Sequence, residues 1–173
     1  MDEKKVNGSV ILGYIKFIKK YWGSDGVDEC AKKVGFDLGK VVEERWYYEQ
    51  LSADVLKWIA DTKGVENLEK CGAHTTKDLG ALSYIVRFMD VKSVLKKAPE
   101  SFRDAFNYGS LDVEIGDRRA IIKMKDTAVD GHACPAWLGC FKGVLEVTKT
   151  PGTVRETQCQ LKGASHCEFL MEW

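Results

Sequence analysis

The 173-residue sequence predicts an α+β fold: a helical N-terminal part packed on a small antiparallel sheet, in the order helices, β-hairpin, helix, β-hairpin. Two observations lead there. Apolar residues recur at helical spacing through residues 1–108, and from Leu111 onward the period shortens to two. One domain is expected over 1–173, with residues 1–108 mainly helical and 109–173 forming hairpin, helix and hairpin. At this length a chain buries roughly 70% of its unfolded surface, so the core is expected to suffice for folding.

Val10, Ile11, Tyr14, Phe17, Ile18 and Tyr21 share one helical face, with Lys16, Lys19 and Lys20 mostly opposite. Ser24-Asp25-Gly26 is expected to break this helix and start another that runs through Val27, Cys30, Ala31 and Val34 to Gly35. Ser52 suits the N-cap of a helix over Ala53 to Lys63. Thr75 or Thr76 suits the cap of a segment through Leu79, Leu82, Ile85, Val86 and Phe88. Pro99 is expected to separate a helix over Val91 to Lys97 from one over Ser101 to Asn107.

In the second part, Leu111, Val113 and Ile115 alternate with Asp112 and Glu114 as a half-buried strand. Gly116-Asp117 turns the chain into a return strand, Ala120 to Lys125. Pro135 to Thr148 reads as a helix with Pro135 in its first turn. Thr153 to Leu161 and His166 to Trp173 form the last hairpin, turning at Lys162-Gly163-Ala164-Ser165. Gly139 and Gly143, four apart on the predicted helix, make a small-residue face expected to pack closely on the sheet.

Charge excludes some partners. Lys plus Arg and Asp plus Glu both number 26, without the basic excess of a nucleic-acid binder. No apolar run approaches the ~20 residues that span a bilayer. The Met-Asp-Glu-Lys-Lys start lacks a signal-peptide core, so a cytoplasmic protein is expected. There thiols stay reduced, and six cysteines point to metal ligation or buried thiols before disulfides.

Cys134 precedes the Pro135 helix, while Cys159 and Cys167 lie on opposite arms of the last hairpin, near neighbours across its turn. Two thiolates so placed could share a tetrahedral Zn²⁺ with Cys134, and Glu156 could complete the set. Glu156 and Cys159 are three positions apart and face opposite sides of a regular strand, so a bulge must intervene. A Cys159–Cys167 disulfide, buried free thiols, or His132 in place of Glu156 are the alternatives. No Ser/His/Asp triad, Walker loop or dinucleotide-binding glycine motif occurs.

Cys134, Gly139, Gly143, Glu156-x-x-Cys159 and Gly163-x-x-x-Cys167, followed by Glu168-Phe169, resemble the 4-vinyl reductase-like small-molecule-binding domain family over about the last 40 residues. The resemblance implies a zinc held by Cys134, Glu156, Cys159 and Cys167. It also implies a cavity for a small hydrophobic or aromatic molecule, with Trp46, Tyr84, Phe88, Phe106, Trp137 and Cys140 as candidate lining. Sensors of this family hold a phenol with a mid-domain His and Trp. Here no His lies between His74 and His132, and no Trp between Trp58 and Trp137. The expected function is a zinc-stabilised, non-catalytic binding or sensing domain, working as a homodimer or through a separate partner. A tetrapyrrole-related 4-vinyl reductase or accessory factor, and a scaffold of the tethering type, are the alternatives.

Overall fold

The computed structural model describes residues 3–78, 88–127 and 130–173, and it is α+β. Strand β1 (Lys5–Asn7) leads directly into helix α1 (Gly8–Val34), which Asn7 caps by accepting the Ser9 N–H at 3.0 Å. The two helices expected on either side of Ser24 form one run with a kink, and the kink falls at Gly23, whose φ is +69°. Only glycine takes that left-handed backbone without strain. Strand β2 (Trp46–Tyr48) pairs antiparallel with β1, Val6 opposite Tyr47. Neither three-residue strand is long enough to show an alternating pattern.

Helix α2 (Glu49–Lys63) begins three residues before the expected cap. Ser52 sits inside it, buried, with its side chain hydrogen-bonded to that of Tyr14 on α1. Helix α3 (Glu66–Lys77) likewise contains Thr75 and Thr76 in its last turn. Their hydroxyls donate to the Cys71 and Gly72 carbonyls instead of opening a new helix. Leu79, Leu82, Ile85 and Val86, expected in the segment those threonines cap, lie outside the described residues, as does Tyr84. Helix α4 (Val91–Ala105) runs unbroken through Pro99. Asp90 caps it, accepting the Ser93 N–H at 2.9 Å, and the burial of Val91, Leu95 and Phe102 on one face outweighs the hydrogen bond that proline removes.

Strands β3 (Ser110–Ile115), β4 (Arg119–Lys125), β5 (Thr153–Gln158) and β6 (Cys167–Glu172) form one antiparallel sheet in the order β3-β4-β6-β5. Ala120, Ile122 and Met124 of β4 and Cys167, Phe169 and Met171 of β6 alternate inward as the period-two pattern requires. Helix α5 (Ala133–Val147) crosses between the two halves of the molecule. Its Phe141 and Leu145 join the sheet-side core, and its Ala136 joins the helical core of Phe17, Ile18, Val55, Ile59 and Leu68.

The small face of α5 packs on α3, not on the sheet. A methyl group at Gly139 would run into the Glu69 carbonyl oxygen, and one at Gly72 into that of Ala136. The two backbones are therefore in direct contact, a separation that no side chain larger than hydrogen permits. Among the described residues no helix is long and apolar enough to cross a membrane.

Candidate functional site

Two features carry chemistry, one inside the seam between the halves and one at its edge. The first is a cavity of about 260 Å³. Helix α5 contributes Ala133, Trp137, Cys140, Phe141 and Val144, which recur at the spacing of one helical face. Helix α4 offers Val94, Ala98, Ser101, Phe102 and Ala105 in the same register, facing it. Alanines at 98, 105 and 133 leave the space; the aromatic rings of Phe102, Phe106, Trp137 and Phe141 border it. Phe102 stacks on Phe106 with ring centroids 4.8 Å apart, and Trp137 lies 5.5 Å from Phe106, so this wall is tied together by ring contacts.

The polar lining is sparse. Tyr14 and Ser52 pair with each other, and Thr76 donates to the Cys140 carbonyl at 3.1 Å as well as to Gly72. Burial drives the hydroxyls of Tyr14 and Tyr108 well above the usual phenol range. Burial likewise pushes the Cys140 thiol up to about 11, so it stays protonated. Glu49, half-buried in the first turn of α2, has its carboxyl raised first by burial.

Of the side chains expected to line a pocket, Phe106, Trp137 and Cys140 stand on the cavity wall. Trp46 lies on β2 with 44% of its surface exposed, and Phe88 is 77% exposed; neither borders the cavity. Sequence reading passed over Tyr14, Glu49, Ser52 and Thr127, which do. They come from two helices and a loop, each a single polar group beside apolar residues, a pattern that does not separate a cavity wall from a cap or a turn.

The second feature is a thiol cluster. Cys134, in the first turn of α5, has its Sγ 3.8 Å from those of both Cys159 and Cys167. One ligand atom from each of Cys134, Glu156, Cys159 and Cys167 lies within 4.8 Å of all the others. A register shift between Glu156 and Gln158 in β5 supplies the irregularity that puts Glu156 and Cys159 on one side. Cys159 then leads into a 3₁₀ turn, Gln160–Lys162, where the Gln160 N–H donates to Cys167 Sγ at 3.3 Å. Burial, then the neighbouring thiols Cys167 and Cys159, hold the Cys134 thiol well above the ordinary range.

Glu156 Oε1 is buried with no hydrogen-bond partner among the described residues, while Oε2 meets Lys162 Nζ at 3.4 Å. His132 is not part of this group. Its ring lies 3.0 Å from Asp130, and its backbone N–H donates to the same carboxylate. His74 contacts the Phe17 ring at 5.7 Å, and His166 shares a hydrogen bond with Ser165.

A family model described as "Protein of unknown function (DUF2378)" matches residues 65–173. Among curated proteins none matches the chain. Solved structures are similar in fold. One reported under "Modulating Heme Redox Potential Through Protein-Induced Porphyrin Distortion" is 15% identical with a TM-score of 0.74, over 96% of this chain and 99% of that one. An oxygen-binding H-NOX domain related to soluble guanylate cyclases is 14% identical with a TM-score of 0.74, over 96% and 94%. An H-NOX protein from S. oneidensis in the Fe(II)NO ligation state is 14% identical with a TM-score of 0.74, over 96% and 98%.

These findings correct the family expected from the sequence. The matching model is not that of the 4-vinyl reductase-like domains, and the similar folds are those of H-NOX structures. The zinc carried over with that resemblance is corrected too, since the similar structures are reported for haem or oxygen.

Proposed function

The chain belongs to the family described as proteins of unknown function, DUF2378, and from its own geometry we propose a non-catalytic module that binds or senses a small molecule. The observation that carries this reading is the cavity between α4 and α5, apolar for most of its wall with few polar groups. Its size, about 260 Å³, suits a small aromatic or aliphatic molecule. Binding is favoured over turnover because, among the described residues, the lining's one thiol, Cys140, is held protonated and no imidazole borders the space. A cavity also distinguishes the domain from a pure scaffold.

Indole is a suitable probe. Saturating indole is expected to raise the melting temperature, because a ligand that binds only the folded state stabilises it by mass action. Ala98→Phe, which fills the space, is expected to weaken indole binding at least about tenfold while leaving the fold intact. Equal affinity in the two proteins would overturn the assignment of this cavity.

The H-NOX neighbours are reported for haem and oxygen, and the side chains here do not fit that group. Haem iron is held by His, Cys thiolate, Met or Tyr. Among the described residues the cavity lining has no His or Met, and burial keeps Cys140, Tyr14 and Tyr108 protonated. Haem also brings carboxylates, and the charged residues on the lining among the described residues, Glu49 and Asp130, are carboxylates themselves. Haem added to the purified chain is therefore expected to give no saturable shift of the Soret band. A shift that saturates at one equivalent would reverse this reading.

The thiol cluster supports a second, structural role. Three convergent thiols and a buried, unpartnered carboxylate oxygen are the surroundings that a thiophilic cation satisfies. We assign Cys134, Glu156, Cys159 and Cys167 as its ligands, clipping the start of α5 to the last hairpin. With all four positions filled by protein, such an ion would serve the fold and leave no open place for substrate.

A further inference from the structure

Among the described residues two carboxylates, Glu49 and Asp130, border the cavity, and no Lys, Arg or His does. They are not equivalent. Asp130 is occupied, with one oxygen accepting the His132 backbone N–H at 2.9 Å and the other 3.0 Å from the His132 ring. The Glu49 side chain makes no hydrogen bond or ion pair among the described residues; only its backbone N–H is engaged, donating to the Lys4 carbonyl at 3.0 Å. The Lys4 ammonium lies over the Tyr108 ring, 5.3 Å from its centroid. The same cavity is bordered by Thr127, which is 94% buried by its 6% exposure and whose hydroxyl has no partner among the described residues.

We propose that the ligand is an amine carried on an apolar or aromatic body, its ammonium set against Glu49 and its body against the Phe102, Phe106 and Trp137 rings. This deepens the binding-module reading and rests on it. A carboxylate taken partly out of water favours a cation at its side and repels an anion. The cost of burying Glu49 shows in its raised carboxyl, and an ammonium group offsets it. Neutral donors could satisfy Thr127, but they add nothing to the partial compensation that the Lys4 ammonium gives the Glu49 charge.

Calorimetric titration of the full chain with phenethylamine, phenethyl alcohol and hydrocinnamate, three probes of one shape and different charge, tests this. Phenethylamine is expected to bind about tenfold tighter than the alcohol, and hydrocinnamate weakest. Glu49→Gln is expected to erase the gap between amine and alcohol while keeping the alcohol's affinity. Asp130→Asn is expected to keep the gap. An alcohol or carboxylate bound as tightly as the amine, or a gap that survives Glu49→Gln, overturns the amine assignment and leaves the cavity reading standing. Should none of the three bind, and indole also fail, both readings fall. The comparison among probes on the unsubstituted chain decides the matter even if a variant does not fold.

Discussion

Gly139→Ala is expected to destabilise the protein by about 3 kcal/mol, although alanine is the better helix former. In an exposed helix the substitution would gain up to about 1 kcal/mol. Here the added methyl meets the backbone carbonyl of Glu69, which belongs to α3 and cannot turn aside as a side chain would. Helices α3 and α5 must separate along their whole contact. That contact also carries the Thr76 hydrogen bond to Cys140 and the ion pair of Lys142 with Glu69 at 2.7 Å. The expected fall in melting temperature is roughly 10 °C for a chain of this size. Gly72→Ala, at the reciprocal position against Ala136, should do the same. Gly131→Ala, with open space around it, is the control and should change little. A melting curve for Gly139→Ala that overlays the parent would mean that the helices slide apart at no cost, contrary to the close-packed interface described.

The same crossing shows how much of the fold could be read from the sequence. Glycines four apart announced a close approach, but nothing local names the surface approached, and it is α3. Ser52 has the chemistry of a cap; a buried partner, Tyr14, draws it into the helix interior instead. Pro99 is a local stop signal, overridden because Val91, Leu95 and Phe102 continue one apolar face past it. The hairpins and α5 were legible because period and turn residues agree there. Of the candidate cavity residues, those on α5 and at the end of α4 border the space. Trp46 is carried to the surface by a three-residue strand that leaves no pattern to read. The demand for a bulge between Glu156 and Cys159 followed from strand geometry alone, and the register shift in β5 meets it.

The thiol cluster leads to the other large effect. If a cation occupies it, a strong chelator is expected to lower stability by about 4 kcal/mol, the linkage expected when an ion is present at a thousand times its dissociation constant. Cys167→Ser should reproduce most of that loss and remove the bound metal, which elemental analysis of protein purified without chelator would read directly, identity included. The size of the effect depends on position. Cys134 opens α5, while Cys159 and Cys167 close the last hairpin, so removing the ion frees the helix start from the sheet at the edge of the ligand cavity. Glu156→Gln separates the roles within the set. It removes the carboxylate charge but keeps the size, so it should weaken the ion's hold while sparing the thiols. If the chelator moves neither the melting temperature nor the metal content, the three sulfurs are packing groups and Glu156 Oε1 is an orphan acceptor. Glu156→Gln should then stabilise the protein, because a neutral amide costs less to bury than a carboxylate whose Oε1 has no partner among the described residues and whose Oε2 meets only the exposed Lys162. The sign of that one substitution separates the two accounts: destabilising if the cluster holds a cation, stabilising if it does not.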